Sequence, residues 1–169
     1  VDMKGGERDV ATSLLAGDKN AAAAARIQVA ADGMGTDEDA IFRQLEGKSG
    51  PDREAIIKAY NEKYGKGKGG QDFNDMLHSE LGAMDEERAK QLAKDGKLDP
   101  TFALKYAMDG MGTDEAMIRK TLEGKSKEEV EAIKAAYKAQ YKRDLDTDIK
   151  DEVSGRDGFE IGQMMLGEP

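Results

Sequence analysis

The heptapeptide Asp-Gly-Met-Gly-Thr-Asp-Glu occurs twice in this chain, at residues 32–38 and again at residues 109–115. The two copies lie 77 residues apart in a chain of 169. Beyond the heptapeptide the likeness continues without a gap, and twelve positions from Ile41 to Tyr64 recur between Ile118 and Tyr141. The chain is therefore built on an internal repeat, which constrains its fold more than any other feature.

The centre of each copy has the character of a tight turn that exposes backbone. Glycines on both sides of one methionine allow left-handed backbone angles and turn carbonyl oxygens outward. Thr36 and Thr113 are expected to be helix N-caps, and the Asp-Glu pair after each threonine suits the first turn of a helix. Because calcium takes six to eight oxygen ligands and accepts backbone carbonyls, the loops fit a calcium site that lacks only a bidentate carboxylate.

The acidic composition limits the partners of the chain. Asp and Glu number 35 against 26 Lys and Arg, which gives a formal net charge of -9. This charge argues against nucleic acid, and contact with an anionic membrane would need a bridging cation. The absence of cysteine excludes disulfides and thiolate chemistry. Because the chain begins at Val1 without a signal-like apolar segment, we interpret it as a fragment or a processed chain.

Apolar residues recur at helical spacing and strand-like alternation is absent, so the sequence predicts an all-α fold. We expect a first repeat over residues 20–97 and a second over residues 98–169, each with about five helices. A leading helix within residues 1–19 is compatible with the end of an upstream unit. Residues 65–70, a glycine- and lysine-rich insert in the first repeat, are predicted to be flexible.

Motifs for enzymatic chemistry fail on inspection. The Gly-Lys-Ser at residues 47–49, like its copy in the second repeat, mimics the end of a phosphate-binding loop. Phe42 and Arg119 stand where the first glycine of that loop is required. His78 is the single histidine, and no cysteine or serine arrangement offers it a partner. We therefore expect no catalytic residues and no enzymatic activity.

An EF-hand is also not supported. Asp144, Asp146 and Asp148 have the spacing of the first half of such a loop, but Ile149 replaces its glycine and Gly155 its final glutamate. An acidic helix start is the better interpretation.

The carboxylate that the loops lack has a candidate in each repeat. Glu152 lies 42 positions after Gly110, and Glu80 lies 47 positions after Gly33. The difference of five equals the number of extra residues after Lys66, which are residues 67–71. Glu80 and Glu152 are therefore equivalent once the insert is removed.

At this point the sequence resembles the annexin family, in which each five-helix repeat carries a Gly-x-Gly-Thr loop and a later acidic residue that closes a calcium site. The resemblance covers about residues 20–166 and implies a right-handed helical bundle that binds Ca²⁺ and, through it, acidic phospholipid surfaces. It implies the following ligands: the carbonyls of Ala31, Gly33 and Gly35 with the carboxylate of Glu80, and the carbonyls of Met108, Gly110 and Gly112 with the carboxylate of Glu152. Water or a lipid phosphate oxygen would complete each shell.

Two departures from the annexin pattern bear on function. Annexins usually have four repeats, and this chain has two, so either the remaining repeats lie outside this fragment or two repeats are the whole module. The residue before the first loop glycine is usually basic, whereas here it is Asp32 or Asp109. Such a carboxylate favours a cation and repels an anionic lipid.

The sequence leads to a calcium-dependent phospholipid-binding module that is cytoplasmic and peripheral to the membrane, with secretion left open. Met34 and Met111, between the loop glycines, are expected to contact the membrane. Two alternatives stay open. The loops can be simple helix-helix turns with solvated carboxylates at Glu80 and Glu152, or the fold can serve as a protein-interaction scaffold without membrane binding.

Overall fold

A computed structural model describes residues 5–169 and contains eleven α-helices over that range. In chain order the helices are α1 Gly5–Leu15, α2 Lys19–Asp32, α3 Glu38–Leu45, α4 Gly50–Tyr64, α5 Phe73–Glu80, α6 Ala83–Asp95, α7 Pro100–Met108, α8 Glu115–Leu122, α9 Lys127–Tyr141, α10 Leu145–Glu152 and α11 Gly155–Met164. Over the same range there is no β-strand, only an isolated bridge between Ser126 and Glu168. The predicted all-α class with about five helices per repeat is confirmed.

The chain divides into two compact units between Leu98 and Asp99. The first unit contains α1 to α6 and the second contains α7 to α11. Most of the predicted leading segment forms α1, which packs against α2 in the first unit, while residues 1–4 lie outside the described range. The repeat limits at residues 20–97 and 98–169 stay predictions.

Each unit has its own apolar core built from equivalent positions. Ile41, Ile56 and Tyr60 are buried in the first unit, and their counterparts are buried in the second. In α2 the alanines at 22–25 are all buried, because small side chains let α1, α3 and α4 approach this helix closely. Burial at the helical period explains why these three repeated positions are apolar.

One pair of equivalent positions is filled by different chemistry in the two units. In the first unit the Arg88 guanidinium stacks on the Phe42 ring, with 4.2 Å from its central carbon to the ring centroid. In the second unit Arg119 replaces the phenylalanine and Glu160 replaces the arginine, and Arg119 Nη2 lies 2.7 Å from Glu160 Oε2. A cation-π contact and an ion pair therefore join the same two helices in the respective units.

The insert after α4 forms a 3-10 helix, Lys66–Lys68, which its composition did not predict. Gly70 N–H donates to the Gly65 carbonyl at 3.1 Å, and Lys66 N–H donates to Asp72 Oδ1 at 3.0 Å. A Cβ at Gly70 would meet the Tyr64 carbonyl oxygen at 2.1 Å, so this turn requires glycine there. Flexibility of the insert stays a prediction.

Candidate functional site: two glycine loops and their carboxylates

The two repeated turns, called loop 1 (residues 33–36) and loop 2 (residues 110–113), have matching backbone geometry. Loop 1 is closed by the Asp37 N–H, which donates to the Ala30 carbonyl at 2.9 Å; in loop 2 the Asp114 N–H donates to the Ala107 carbonyl at 2.9 Å. The second glycine of each loop has a left-handed φ, +87° at Gly35 and +95° at Gly112. A side chain there would be strained, which explains the repeated glycine.

The predicted N-caps at Thr36 and Thr113 are wrong. Asp37 and Asp114 cap α3 and α8, and their carboxylates accept from the N–H groups three residues later, at 3.0 Å and 2.9 Å. Aspartate and threonine are both good caps, and the sequence analysis assigned the aspartates to the first helical turn instead. The choice of aspartate leaves each threonine hydroxyl available for another partner.

That partner is the carboxylate that the sequence analysis assigned to each loop. Thr36 Oγ1 donates to Glu80 Oε2 at 3.2 Å, and Thr113 Oγ1 donates to Glu152 Oε2 at 3.0 Å. The residues of each pair are 44 and 39 positions apart in sequence. The fold therefore brings Glu80 to loop 1 in spite of the insert, as it brings Glu152 to loop 2.

The predicted carbonyl ligands lie in the two loops and at the ends of the helices that precede them. Ala31 lies in the last turn of α2, and Met108 is the last residue of α7. The Gly35 carbonyl oxygen lies 3.3 Å from the place where a Cβ of Gly33 would stand. A side chain at Gly33 would crowd this oxygen, whereas glycine leaves the approach to it open.

The donor set suits a hard cation held mainly by the backbone. Among residues 5–169 there is no cluster of three or more His, Asp or Glu side chains that could hold a metal by themselves. Each loop instead combines backbone carbonyls with one carboxylate, and calcium accepts such a mixture while leaving positions for water or an anion.

The methionine at the tip of each loop is fully exposed. Met34 and Met111 have relative accessibilities of 108% and 107%, the highest among the large apolar side chains of residues 5–169. Neither side chain belongs to an apolar core, so core packing does not explain why methionine occurs at this position. Their predicted membrane contact is not tested by this geometry.

The approaches to the two loops carry different charges. In the second unit Lys105 Nζ lies 2.9 Å from Asp109 Oδ1. The equivalent of Lys105 in the first unit is Gln28, whose side-chain oxygen accepts from the Tyr60 hydroxyl at 2.7 Å. Burial raises the pKa of Tyr60 to about 12, and the charges of Asp32 and Glu80 add to the increase.

Sequence reasoning missed a buried polar group beneath loop 2. The sequence predicts that Asp148 belongs to an acidic helix start, but its side chain is only 9% exposed. It accepts from the Tyr137 hydroxyl at 2.6 Å and from Arg143 Nη2 at 2.6 Å. The hydrogen bonds from Arg143 are the main cause that holds the pKa of Asp148 below its ordinary value, against the opposing effect of burial. The signal in the sequence was weak, because the first unit has Met76 at this position.

A cavity of about 250 Å³ lies between α7, α9 and α10. Its lining includes Met108 and Glu152, which are predicted calcium ligands, and Lys105. Asp148 and Asp151 from α10 also line it, together with Tyr137 and Arg143. The cavity therefore connects the candidate calcium ligands with the charged network below them.

Comparison with known proteins identifies the class to which this fold and these loops belong. The annexin family model matches residues 22–83 and 101–157. Mouse annexin A13 is 38% identical over 78% of this chain and 40% of its own length, and human annexin A5 is 32% identical over 73% and 37%. The chain belongs to the annexin family. It spans about two fifths of the length of these relatives.

Two solved annexin structures are among those similar to this chain. The structure of chicken annexin V aligns with 88% of this chain, and the alignment covers 45% of the annexin V chain. The sequence identity is 30% and the TM-score is 0.44. The structure of calcium-bound annexin (Sm)1 aligns with 88% of this chain, and the alignment covers 43% of the annexin (Sm)1 chain. The sequence identity is 28% and the TM-score is 0.40.

The annexin family gives the general kind of function. Annexins bind phospholipid in a calcium-dependent manner, associate peripherally with membranes and are generally not enzymes. In the described part of this chain, no helix has both the length and the apolar character needed to span a membrane.

Proposed function

We propose that this chain attaches peripherally to acidic phospholipid surfaces by binding one Ca²⁺ at each loop. The observation that carries the proposal is the placement of one carboxylate beside each loop threonine, Glu80 at 3.2 Å and Glu152 at 3.0 Å. A helix-helix turn needs no such distant carboxylate. The occurrence of such a carboxylate at both loops supports a cation site of the same kind at each loop.

In this proposal the carboxylate is the single charged ligand of each site. The remaining protein ligands are the carbonyls of Ala31, Gly33 and Gly35 in the first unit and of Met108, Gly110 and Gly112 in the second. One carboxylate neutralises only half of the calcium charge, so affinity without lipid is weak. An anionic headgroup oxygen that enters the open positions supplies the missing charge.

The net charge of the chain makes calcium necessary for this attachment. At a formal charge of -9 the protein is repelled by an anionic bilayer. Calcium held at the loops joins the two negative surfaces. Met34 and Met111 then lie at the contact, where flexible apolar side chains enter the lipid interface.

Co-sedimentation with vesicles tests the attachment. Vesicles of phosphatidylserine and phosphatidylcholine should bring down the protein with calcium and leave it in solution with a chelator. Vesicles of phosphatidylcholine alone should bring down much less. If the parent chain fails to sediment with calcium and acidic vesicles, the scaffold alternative is favoured.

Calorimetry tests the ligands. Glu80→Gln and Glu152→Gln should each remove one calcium from the stoichiometry, because each loses the only charged ligand of its site. Glu131→Gln is the control, since this glutamate lies on the exposed surface of α9 and pairs with Lys134. Unchanged calcium uptake in Glu152→Gln would refute the ligand assignment.

The double substitution Met34→Ser with Met111→Ser tests the membrane contact. It should leave calcium binding in solution intact and weaken sedimentation with acidic vesicles. Leu166→Ser is the control, because Leu166 is also exposed and lies outside both loops. Equal vesicle binding by the double variant and the parent would refute a membrane role for the methionines.

A further inference from the structure

Lys105, near loop 2, is replaced by a neutral glutamine at the equivalent position of the first unit. The Lys105 ammonium lies one helical turn before loop 2 and pairs with Asp109 at 2.9 Å. At the equivalent place before loop 1 stands Gln28, a neutral side chain that is engaged with the Tyr60 hydroxyl. Asp32 and Asp109 are identical residues in these equivalent positions, so the charge of Lys105 distinguishes the two approaches.

Lys105 shares a cavity with the proposed calcium ligands of loop 2. Met108 and Glu152 line the same 250 Å³ space as the lysine. Arg143, the other cation on this cavity, donates to Asp148 from both Nε and Nη2. Because Arg143 is held by Asp148, Lys105 is the cation better placed to respond to a ligand at loop 2.

The Lys105 side chain has partners in the second unit and remains accessible to solvent. Its side chain is 25% exposed and its ammonium lies 5.9 Å from the ring centroid of Tyr141. Its partner Asp109 is more exposed, at 42%. An ion pair this open to water has little net stability, so the lysine can exchange Asp109 for a stronger anionic partner at small cost.

From this geometry we propose that Lys105 makes calcium binding at loop 2 depend on an anionic lipid. The inference rests on the proposed calcium site. Without lipid, the ammonium opposes a divalent cation in the loop. When a headgroup phosphate completes the calcium shell, the ammonium donates to a phosphate oxygen in a charge-assisted hydrogen bond. Loop 1 lacks this group, so its calcium binding depends less on lipid.

Coulomb's law gives the size of the effect. A unit charge roughly 8 Å from a divalent ion in water changes its binding by about fivefold. The phosphate contact adds to this on the lipid-bound side. The lipid enhancement, defined as the ratio of the calcium dissociation constants without and with acidic vesicles, should therefore fall by about fivefold or more when Lys105 is neutralised.

Variants with a single active loop measure this ratio. In an E80Q background, which leaves loop 2, K105Q should tighten calcium binding without vesicles and lower the lipid enhancement. In an E152Q background, which leaves loop 1, Q28K should raise the enhancement. Lys134→Gln is the matched control, because Lys134 is 23% exposed and also sits in a local ion pair, with Glu131 and Asp146.

The probes are vesicles of phosphatidylserine with phosphatidylcholine and, in a parallel series, soluble glycerophosphoserine. A loss of enhancement in K105Q with both probes assigns the contact to the headgroup. A loss with the soluble probe alone would overturn the lipid dependence.

The outcomes separate this inference from the proposed function. An unchanged enhancement in K105Q, with calcium bound normally, would overturn the role of Lys105 and leave the proposed function standing. Absence of calcium binding in the parent chain would remove the proposed function and this inference together.

Discussion

Asp148 accepts hydrogen bonds from Tyr137 and Arg143 in the second unit. We predict that Asp148→Met will destabilise this unit and that adding Lys105→Gln will restore part of the lost stability. The first unit already uses this combination, with Met76 and Gln28 at the equivalent positions. There the Gln28 side-chain oxygen accepts from the Tyr60 hydroxyl, as Asp148 accepts from Tyr137 in the second unit. The hydroxyl of the equivalent buried tyrosine therefore has a hydrogen-bond acceptor in both units, but the acceptor comes from a different position in each.

The magnitude follows from the groups that lose their partners. Tyr137 is 1% exposed, so its hydroxyl would be left buried without the Asp148 acceptor, at a cost of about 1–3 kcal/mol. Arg143 also loses its partner, but its side chain is 60% exposed and is hydrated by solvent. We therefore expect Asp148→Met to lower the free energy of unfolding by about 2 kcal/mol, and Lys105→Gln in that background to recover about 1 kcal/mol.

Denaturant unfolding followed by far-UV circular dichroism measures both changes in the full chain. Asp146→Asn is the control: this neighbouring aspartate is 44% exposed in a surface ion pair and should change stability little. Additive effects, with Lys105→Gln giving no recovery beyond its effect on the parent, would refute the equivalence with the first unit.

The same network predicts a pH dependence. Because the pKa of Asp148 is lowered in the folded chain, its charge contributes stability that is complete above the ordinary value of 3.8 and is lost as pH falls through the folded value. The difference in unfolding free energy between the parent and Asp148→Asn should therefore narrow below about pH 4. A constant difference down to pH 2 would show that the charge of Asp148 is not the stabilising factor.

Three further outcomes are expected. Gly112→Ala places a side chain at a φ of +95° and should destabilise loop 2 by about 1 kcal/mol. Calorimetry should show weaker calcium binding at this loop. The same change at Gly162, inside α11, should leave calcium binding unchanged. Ser126→Ala removes the capping box of α9 and should lower the free energy of unfolding by about 1 kcal/mol, with no change in calcium stoichiometry. Deleting residues 67–71 should leave calcium binding at loop 1 within a few-fold of the parent, because loop closure depends only logarithmically on length; a collapse of that binding would show that the insert supports the site.

The repeat made the fold and the placement of the loops predictable. A repeated heptapeptide fixed the equivalence of the two units, and the spacing to Glu80 and Glu152 indicated which carboxylates would approach the loops. These are local and periodic features, which a sequence displays directly. The assignment of the loop carbonyls and of both carboxylates as calcium ligands stays a prediction.

The features that the sequence did not reveal depend on choices between near-equivalent partners. Threonine and aspartate can both cap α3, and the structure uses Asp37 as the cap while Thr36 donates to Glu80. Asp148 is a buried partner of Arg143 and Tyr137, yet in sequence it looks like one more acidic residue at a helix start. The 3-10 helix of the insert depends on hydrogen bonds to Gly65 and Asp72, which composition does not encode.

The pair that joins equivalent helices in each unit limits how the units can exchange residues. Phe42 with Arg88 and Arg119 with Glu160 each work as a matched set. Moving one member alone would set two arginines against each other or place a glutamate over an aromatic ring. A chimera of the two units should therefore tolerate exchange of the whole pair and reject exchange of either residue. A single exchange at this joint is therefore expected to give a less stable unit than exchange of the pair.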